Sequence, residues 1–315
     1  MWRTGWDMNK TRRLAWALLL AGAGGTRVAC LAAGRASAKI QRLGGVLRAL
    51  PFVLAACAAG ASEPESVDLE LVLAVDVSGS IDHEEAALQR RGYVGALQDE
   101  RVINAIKTGF HGRIGVTYFE WAGVHHRRTV ADWTTIGDAA SAKAFADWIA
   151  AQSIGAGAWT SISGAIDFAL QRFAESPYRS RRRVLDISGD GPNNNGPYVV
   201  EWRDRALAQG ITINGLPIIN ERPSRWGLPP FLDLDLYFED CVIGGRGAFI
   251  VVAENFADFA SAIRRKLILE IADLHPSQVG RLVPAGEHIR PRGRAGPRPP
   301  CDSGEQERMQ RRLDR

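Results

Sequence analysis

The chain has 315 residues, 46% of them hydrophobic, with 33 glycines and 15 prolines, which suits one domain of about 200 residues plus segments at either end. Its formal charge of +4 hides an asymmetry: residues 1–61 hold nine Lys/Arg and one acid, residues 275–315 hold nine Arg and five acids, and residues 62–274 hold 21 Lys/Arg against 29 Asp/Glu. The folded part is therefore acidic, at a net −8, which removes the basic footprint that nucleic-acid binding requires.

In chain order, the first sixty residues contain two stretches shaped like export signals. Thr11-Arg12-Arg13 precedes the apolar run Leu14–Ala21, and Arg48 precedes Ala49–Ala59. Each has a basic flank, a short apolar run and small residues after it, the order of a secretory signal. Neither reaches the roughly 20 residues that span a bilayer. Ala59-Gly60-Ala61 is a cleavage site before Ser62, so residues 1–45 are either an over-long start or an extended leader. Leu54-Ala55-Ala56-Cys57 resembles the lipobox of bacterial lipoproteins, and lipidation at Cys57 is the alternative to simple export. The expected location is periplasmic or secreted.

From residue 62 to 274 apolar runs alternate with helical periods. Leu69–Val75 reads as a strand ending at Asp76, and Asp82 with Glu85 forms a capping box for a helix running to about Gln98. Ile114–Trp121 and Arg127–Trp133 read as two strands joined by a turn around Gly123. Helices follow at 138–151 and from Ser161 to Ala174, and Val184–Ser188 is a strand ending in Gly189-Asp190-Gly191. A helix at 198–208, a strand at Ile211–Leu216, a Pro/Arg/Trp-rich loop around 220–230 and a last strand at Ala248–Val252 come next. The final helix has Asn255 as its N-cap and Phe256, Phe259, Ala260, Ile263, Leu267 and Ile271 at helical spacing. This alternation predicts a doubly wound three-layer α/β/α domain, with a mainly parallel sheet and one antiparallel edge strand. After Leu274 the chain turns Pro/Arg/Gly-rich, and 275–315 reads as a disordered basic tail.

The chemistry concentrates where strands end. Asp76-Val77-Ser78-Gly79-Ser80 sets one carboxylate and two hydroxyls on one side of an extended loop, since alternate residues share a face. Oxygen donors of this kind suit a hard cation such as Mg²⁺, which takes about six oxygens and keeps waters. Two further loops supply the rest: Thr160 ahead of a helix start, and Asp190 after a strand. In open α/β sheets ligands bind outside the carboxyl ends of the strands, where Asp76 and Asp190 both fall.

The order and spacing of Asp76, Ser78, Ser80, of Thr160 with Ala165 five residues on, and of Asp190-Gly191 resemble the metal-ion-dependent adhesion site of von Willebrand factor A domains. The resemblance covers roughly residues 67–272. More narrowly, Leu73–Asp82 and Cys241–Gly245 are similar to a bacterial group of exported, uncharacterised proteins of this type. The resemblance implies a von Willebrand factor A-like fold. It also implies a metal site of Asp76, Ser78, Ser80, Thr160 and Asp190 holding Mg²⁺, with Mn²⁺ or Ca²⁺ as alternatives. The serines, and Thr160 in some states, would touch the ion directly, and the two aspartates would often act through water. An open position would then accept a Glu or Asp from a protein partner, making the domain a recognition device.

Competing readings attach to the same residues. Asp76 and the serines could cap the following helix, and Thr160 could be an N-cap. Asp186 rivals Asp190 at the same strand parity; its partner is left open, with an arginine from Arg181–Arg183 as one candidate. The run Pro192-Asn193-Asn194-Asn195-Gly196 either lines a recognition surface or is a solvated turn, and Trp159 is either a rim anchor or a core residue. His125 and His126 read as exposed. Cys30, Cys57, Cys241 and Cys301 lack zinc spacing and do not suggest a disulfide framework; Cys241 reads as a buried or loop thiol, with Cys301 as its alternative partner. Two other functions are a metal-assisted hydrolase, for which His83 is the only nearby histidine, and a structural domain whose metal merely stabilises it.

Overall fold

The computed structural model describes residues 63–219, 230–231, 233–275 and 297–313. The leader, the lipobox cysteine, most of the 220–230 loop and the first part of the expected tail lie outside these residues. A short strand β1 (Glu65–Ser66) is followed by β2 (Glu70–Asp76), the helices α1 (His83–Leu97) and α2 (Glu100–Lys107), and the hairpin of β3 (Ile114–Trp121) and β4 (Arg127–Ile136). Then come α3 (Ala139–Ala151), α4 (Ile162–Ala174), β5 (Tyr178–Arg179), β6 (Arg183–Gly189), α5 (Val199–Ala208) and β7 (Ile211–Pro217). The short α6 (Leu234–Tyr237) runs into a π-helical turn (Phe238–Val242), and α7 (Phe259–Ile271) and α8 (Ser303–Leu313) complete the described chain. No described helix is long and apolar enough to cross a membrane.

The main sheet has five strands in the order β4-β3-β2-β6-β7. β2 pairs parallel with β3 and β6, β6 pairs parallel with β7, and β4 is the antiparallel edge. β2 is buried along its whole length because both faces are covered. Leu71, Leu73 and Val75 pack with α1, α2, α3 and α7, while Val72 and Ala74 face α4 and α5, as the period of two requires. This is the predicted doubly wound α/β/α arrangement.

Local signals explain most boundaries. The Asp82–Glu85 capping box is present, with the Glu85 N–H donating to Asp82 Oδ1 at 2.8 Å and the Asp82 N–H to Glu85 Oε2 at 2.9 Å. α2 is an element that sequence reading left out; Asp99 caps it, and its apolar Val102, Ile103 and Ile106 are buried. The expected strand at Ala248–Val252 contributes only isolated bridges to β7, at Gly215–Ile250 and, just beyond, Ile218–Ala253. The Asn214 side chain takes the Phe249 N–H, and Pro217 has no N–H to extend a ladder. The last helix starts later than expected: Asp258 precedes it, and Asn255 instead closes a turn by accepting the Asp258 N–H at 3.0 Å.

The expectation of a disordered tail is corrected over residues 297–313. Cys301 is disulfide-bonded to Cys241, and α8 packs against the 192–195 loop. Composition misled here because a Pro/Arg-rich segment with few apolar residues cannot build a core of its own, yet it can be ordered by a covalent tether and by polar contacts to a folded neighbour.

Candidate metal centre

β2 and β6 are neighbours in register, with Val75 opposite Ser188, so the residues just beyond them share one end of the sheet. Asp76 is fully buried and Ser78 nearly so, and Asp190 and Thr160 are also buried. The Ser78 N–H donates to Asp76 Oδ1 at 2.7 Å, folding the first loop back on its own carboxylate. The hydroxyls of Ser78 and Ser80 stand 3.1 Å apart, and Ser80 Oγ donates to Asp190 Oδ1 at 2.6 Å. The first and third loops are thus bonded directly through groups of the predicted site.

The second loop approaches beside Asp190. A methyl built on Gly191 would lie 3.8 Å from the Thr160 hydroxyl. Ser161, not Thr160, caps α4, accepting the Gly164 N–H at 3.1 Å, so the Thr160 hydroxyl is not consumed as a helix cap. Asp82 likewise caps α1, which leaves Asp76 and the serines without that role. Trp159 holds a left-handed φ of 66° and is half exposed at the rim. His83 is exposed at the start of α1.

The electrostatics are those of two acids crowded together at a buried strand end. Burial, followed by the charge of Asp190, pushes the Asp76 carboxyl well above the ordinary carboxylate range. Asp76 Oδ2 is buried without a hydrogen-bond partner, an arrangement that costs free energy unless something outside the described chain meets it. Gly189 lies against this oxygen: a methyl there would stand 3.0 Å from Oδ2, so the backbone approaches as closely as glycine allows. Two carboxylates and three hydroxyls form a hard-oxygen donor set that fits Mg²⁺, Mn²⁺ or Ca²⁺ better than a soft metal. No cluster of three or more His, Cys, Asp or Glu exists among the described residues, so any metal held here relies on the hydroxyls.

Residues outside the predicted set shape the site. The Asn194 N–H donates to the Thr160 carbonyl at 2.8 Å, and its Oδ1 accepts the Thr160 N–H at 2.9 Å, clamping that residue from both sides. Asn193 is fully buried; its Oδ1 accepts from the Ser163 N–H at 3.0 Å and its Nδ2 donates to the Pro197 carbonyl at 3.0 Å. Asn195 Oδ1 takes the Val124 N–H at 2.8 Å. The three asparagines are therefore not a solvated turn; they supply the side-chain hydrogen bonds that a loop needs in place of a ladder. Asp186 is paired with Lys266 of α7 at 2.7 Å and not with Arg181–Arg183. It lies mid-strand, opposite Leu73 and beneath α7, whereas the arginines sit at the strand's other end.

The family model described as "protein of unknown function (DUF1194)" matches residues 66–275. No curated protein sequence matches the chain. Among solved structures the chain is similar to the pilus adhesin SpaC of Lactobacillus rhamnosus GG, with a TM-score of 0.49 and 11% identity over 66% of this chain and 30% of that one. It is similar also to proximal thread matrix protein 1 of the mussel byssus, with a TM-score of 0.46 and 13% identity over 67% and 50%. A third likeness is to a von Willebrand factor type A protein of Catenulispora acidiphila, with a TM-score of 0.44 and 14% identity over 65% and 43%. The chain spans half or less of each of these proteins.

Proposed function

The chain belongs to the family described as "protein of unknown function (DUF1194)", and from that premise, together with the likeness of its loop motifs to those of von Willebrand factor A domains, we propose that it is an exported, metal-dependent protein-binding module. In this reading Asp76, Ser78, Ser80, Thr160 and Asp190 hold Mg²⁺, or Mn²⁺ or Ca²⁺ in its place. The ion supplies a Lewis-acidic position that a Glu or Asp of a partner protein completes. The observation that carries the reading is the buried, unpartnered Asp76 Oδ2 beside a second carboxylate and hydroxyls. The protein's own part is to pre-arrange oxygen donors and to keep carboxylates few, so that the ion retains its attraction for an incoming anion.

Binding is favoured over metal-assisted hydrolysis by what surrounds the donors. Hydrolysis needs a positioned base near the ion, and the nearest histidine in sequence, His83, is exposed on α1. Export is supported by the leader-like stretches before residue 62 and by the Cys241–Cys301 disulfide, since such bonds persist in oxidising compartments.

The test is calorimetric titration of Mn²⁺ and Mg²⁺ into the full chain and into Asp76→Ala and Asp190→Ala. Saturable binding is expected in the parent and in neither folded variant. With Mn²⁺ at one hundred times its Kd, the parent should gain about 2.7 kcal/mol of stability by mass action and Asp76→Ala none. A parent that binds no divalent ion refutes the reading.

A further inference from the structure

The C-terminal helix is attached to the same loops that would hold the metal. Its approach is fixed before it begins: Arg298 pairs with Asp240 at 2.8 Å and Glu239 at 3.2 Å, and Cys301 is bonded to Cys241 in the π-helical turn. The Tyr237 hydroxyl bridges the two segments, accepting the Asn193 N–H at 3.2 Å and donating to the Cys301 carbonyl at 3.3 Å. Gly304 then rests on the Asn193 carbonyl, where an added methyl carbon would stand only 2.2 Å from the oxygen. Only glycine allows this approach.

Along α8 the contacts continue onto the residues that order Thr160. Asn193 Nδ2 donates to Glu305 Oε1 at 2.6 Å, while the same amide's oxygen receives Ser163 at the start of α4. Arg308 donates to the Asn194 carbonyl at 3.1 Å, and its guanidinium lies 4.7 Å from the centre of the Trp159 ring. Asn194 is the residue that clamps Thr160, and Trp159 is the strained residue before it. α8 thus contacts Asn194 and Trp159, the two residues that flank the threonine.

We infer that α8 is a latch whose docking is thermodynamically coupled to metal binding: the docked helix holds the Asn193–Asn194 loop, and through it Thr160, in the conformation that binds the ion. The inference rests on the metal-site reading above. Glu305 and Arg308 are positioning residues in this scheme. Coupling of this kind is reciprocal: whatever factor the latch contributes to metal affinity, the metal contributes to latch docking.

The experiment uses the full, disulfide-bonded chain, the double variant Glu305→Ala/Arg308→Ala, and Asp76→Ala, with Mn²⁺ as the probe. Calorimetry should show Mn²⁺ binding weakened by about tenfold in the double variant, within the ordinary range of coupling between sites. In the parent, saturating Mn²⁺ should slow tryptic release of the peptide beyond Arg308 by a similar factor. Cleavage of the open form follows its population when reclosing is fast. Asp76→Ala should lose that protection. Equal Mn²⁺ affinity in parent and double variant, or cleavage indifferent to Mn²⁺ in a parent that binds it, overturns the latch and leaves the metal site standing. A parent that binds no Mn²⁺ overturns both. Altered thermal stability with unchanged Mn²⁺ affinity marks α8 as structural only and also overturns the coupling.

Discussion

Strand β6 and the residue just past it carry two aspartates four residues apart, and the chain treats them in opposite ways. Asp186, mid-strand and fully buried, has the Lys266 ammonium at 2.7 Å. The same lysine pairs with Glu270, which accepts a hydrogen bond from Asn214 Nδ2 at 2.9 Å. Asp190, just past the strand end, meets the Ser80 hydroxyl and faces the buried Asp76, one of whose oxygens has no partner. The difference follows from place. A carboxylate under α7 is sealed by packing, so its counter-ion must be part of the chain. A carboxylate at the carboxyl end of a parallel strand opens onto loops, where an ion from solution can serve. The first pair is neutralised within the chain and the second is the one the proposed metal would neutralise, though both begin as buried acids.

Removing the built-in cation should break this comparison most severely. Lys266→Met leaves Asp186 and Glu270 buried without it, and the expected loss is about 3–5 kcal/mol in urea unfolding. A loss below about 1 kcal/mol would mean the two acids are already neutral in the fold. The second prediction concerns pH. Burial raises Asp186 from 3.8 to about 7, against the opposing pull of Lys266 and with a further upward push from Glu270. The folded state therefore holds this proton more tightly than the unfolded chain does. Its contribution is complete below the ordinary carboxylate pKa and is lost as pH rises toward about 7. Asp186→Asn should flatten the decline in stability across that window, and a slope identical to the parent's would assign the decline to other groups. The mildest change sharpens the other side of the contrast. Gly189→Ala brings a methyl to 3.0 Å from Asp76 Oδ2. Folding should change by less than about 1 kcal/mol, while Mn²⁺ affinity falls roughly tenfold. A loss of stability without loss of affinity would show that this oxygen does not face the ion.

Much of this was legible in the residues because the signals are local. The capping box at Asp82 and Glu85, the apolar run into Asp76 and the Gly-Asp-Gly after β6 each mark an element boundary by chemistry acting within a few residues. α2 escaped notice because it is only eight residues long and half of them are polar, with buried apolar side chains at Val102, Ile103 and Ile106. The strand expected at 248–252 failed for a non-local reason, the side chain of Asn214 on another strand taking a main-chain donor. For Thr160, sequence could not choose between helix cap and ligand; Ser161 caps α4 instead, which removes the first reading.

The sequence by itself determined the layered α/β architecture and the three loops that carry the proposed oxygen donors, since periodicity, caps and strand-end chemistry are written in neighbouring residues. Tertiary structure alone decided which acid received Lys266, which asparagines hold Thr160, and that a basic segment sixty residues past Cys241 returns to the loops of the proposed metal site. These are contacts across long chain separations. Their free energies depend on which surfaces the fold brings together, and no local pattern encodes that meeting.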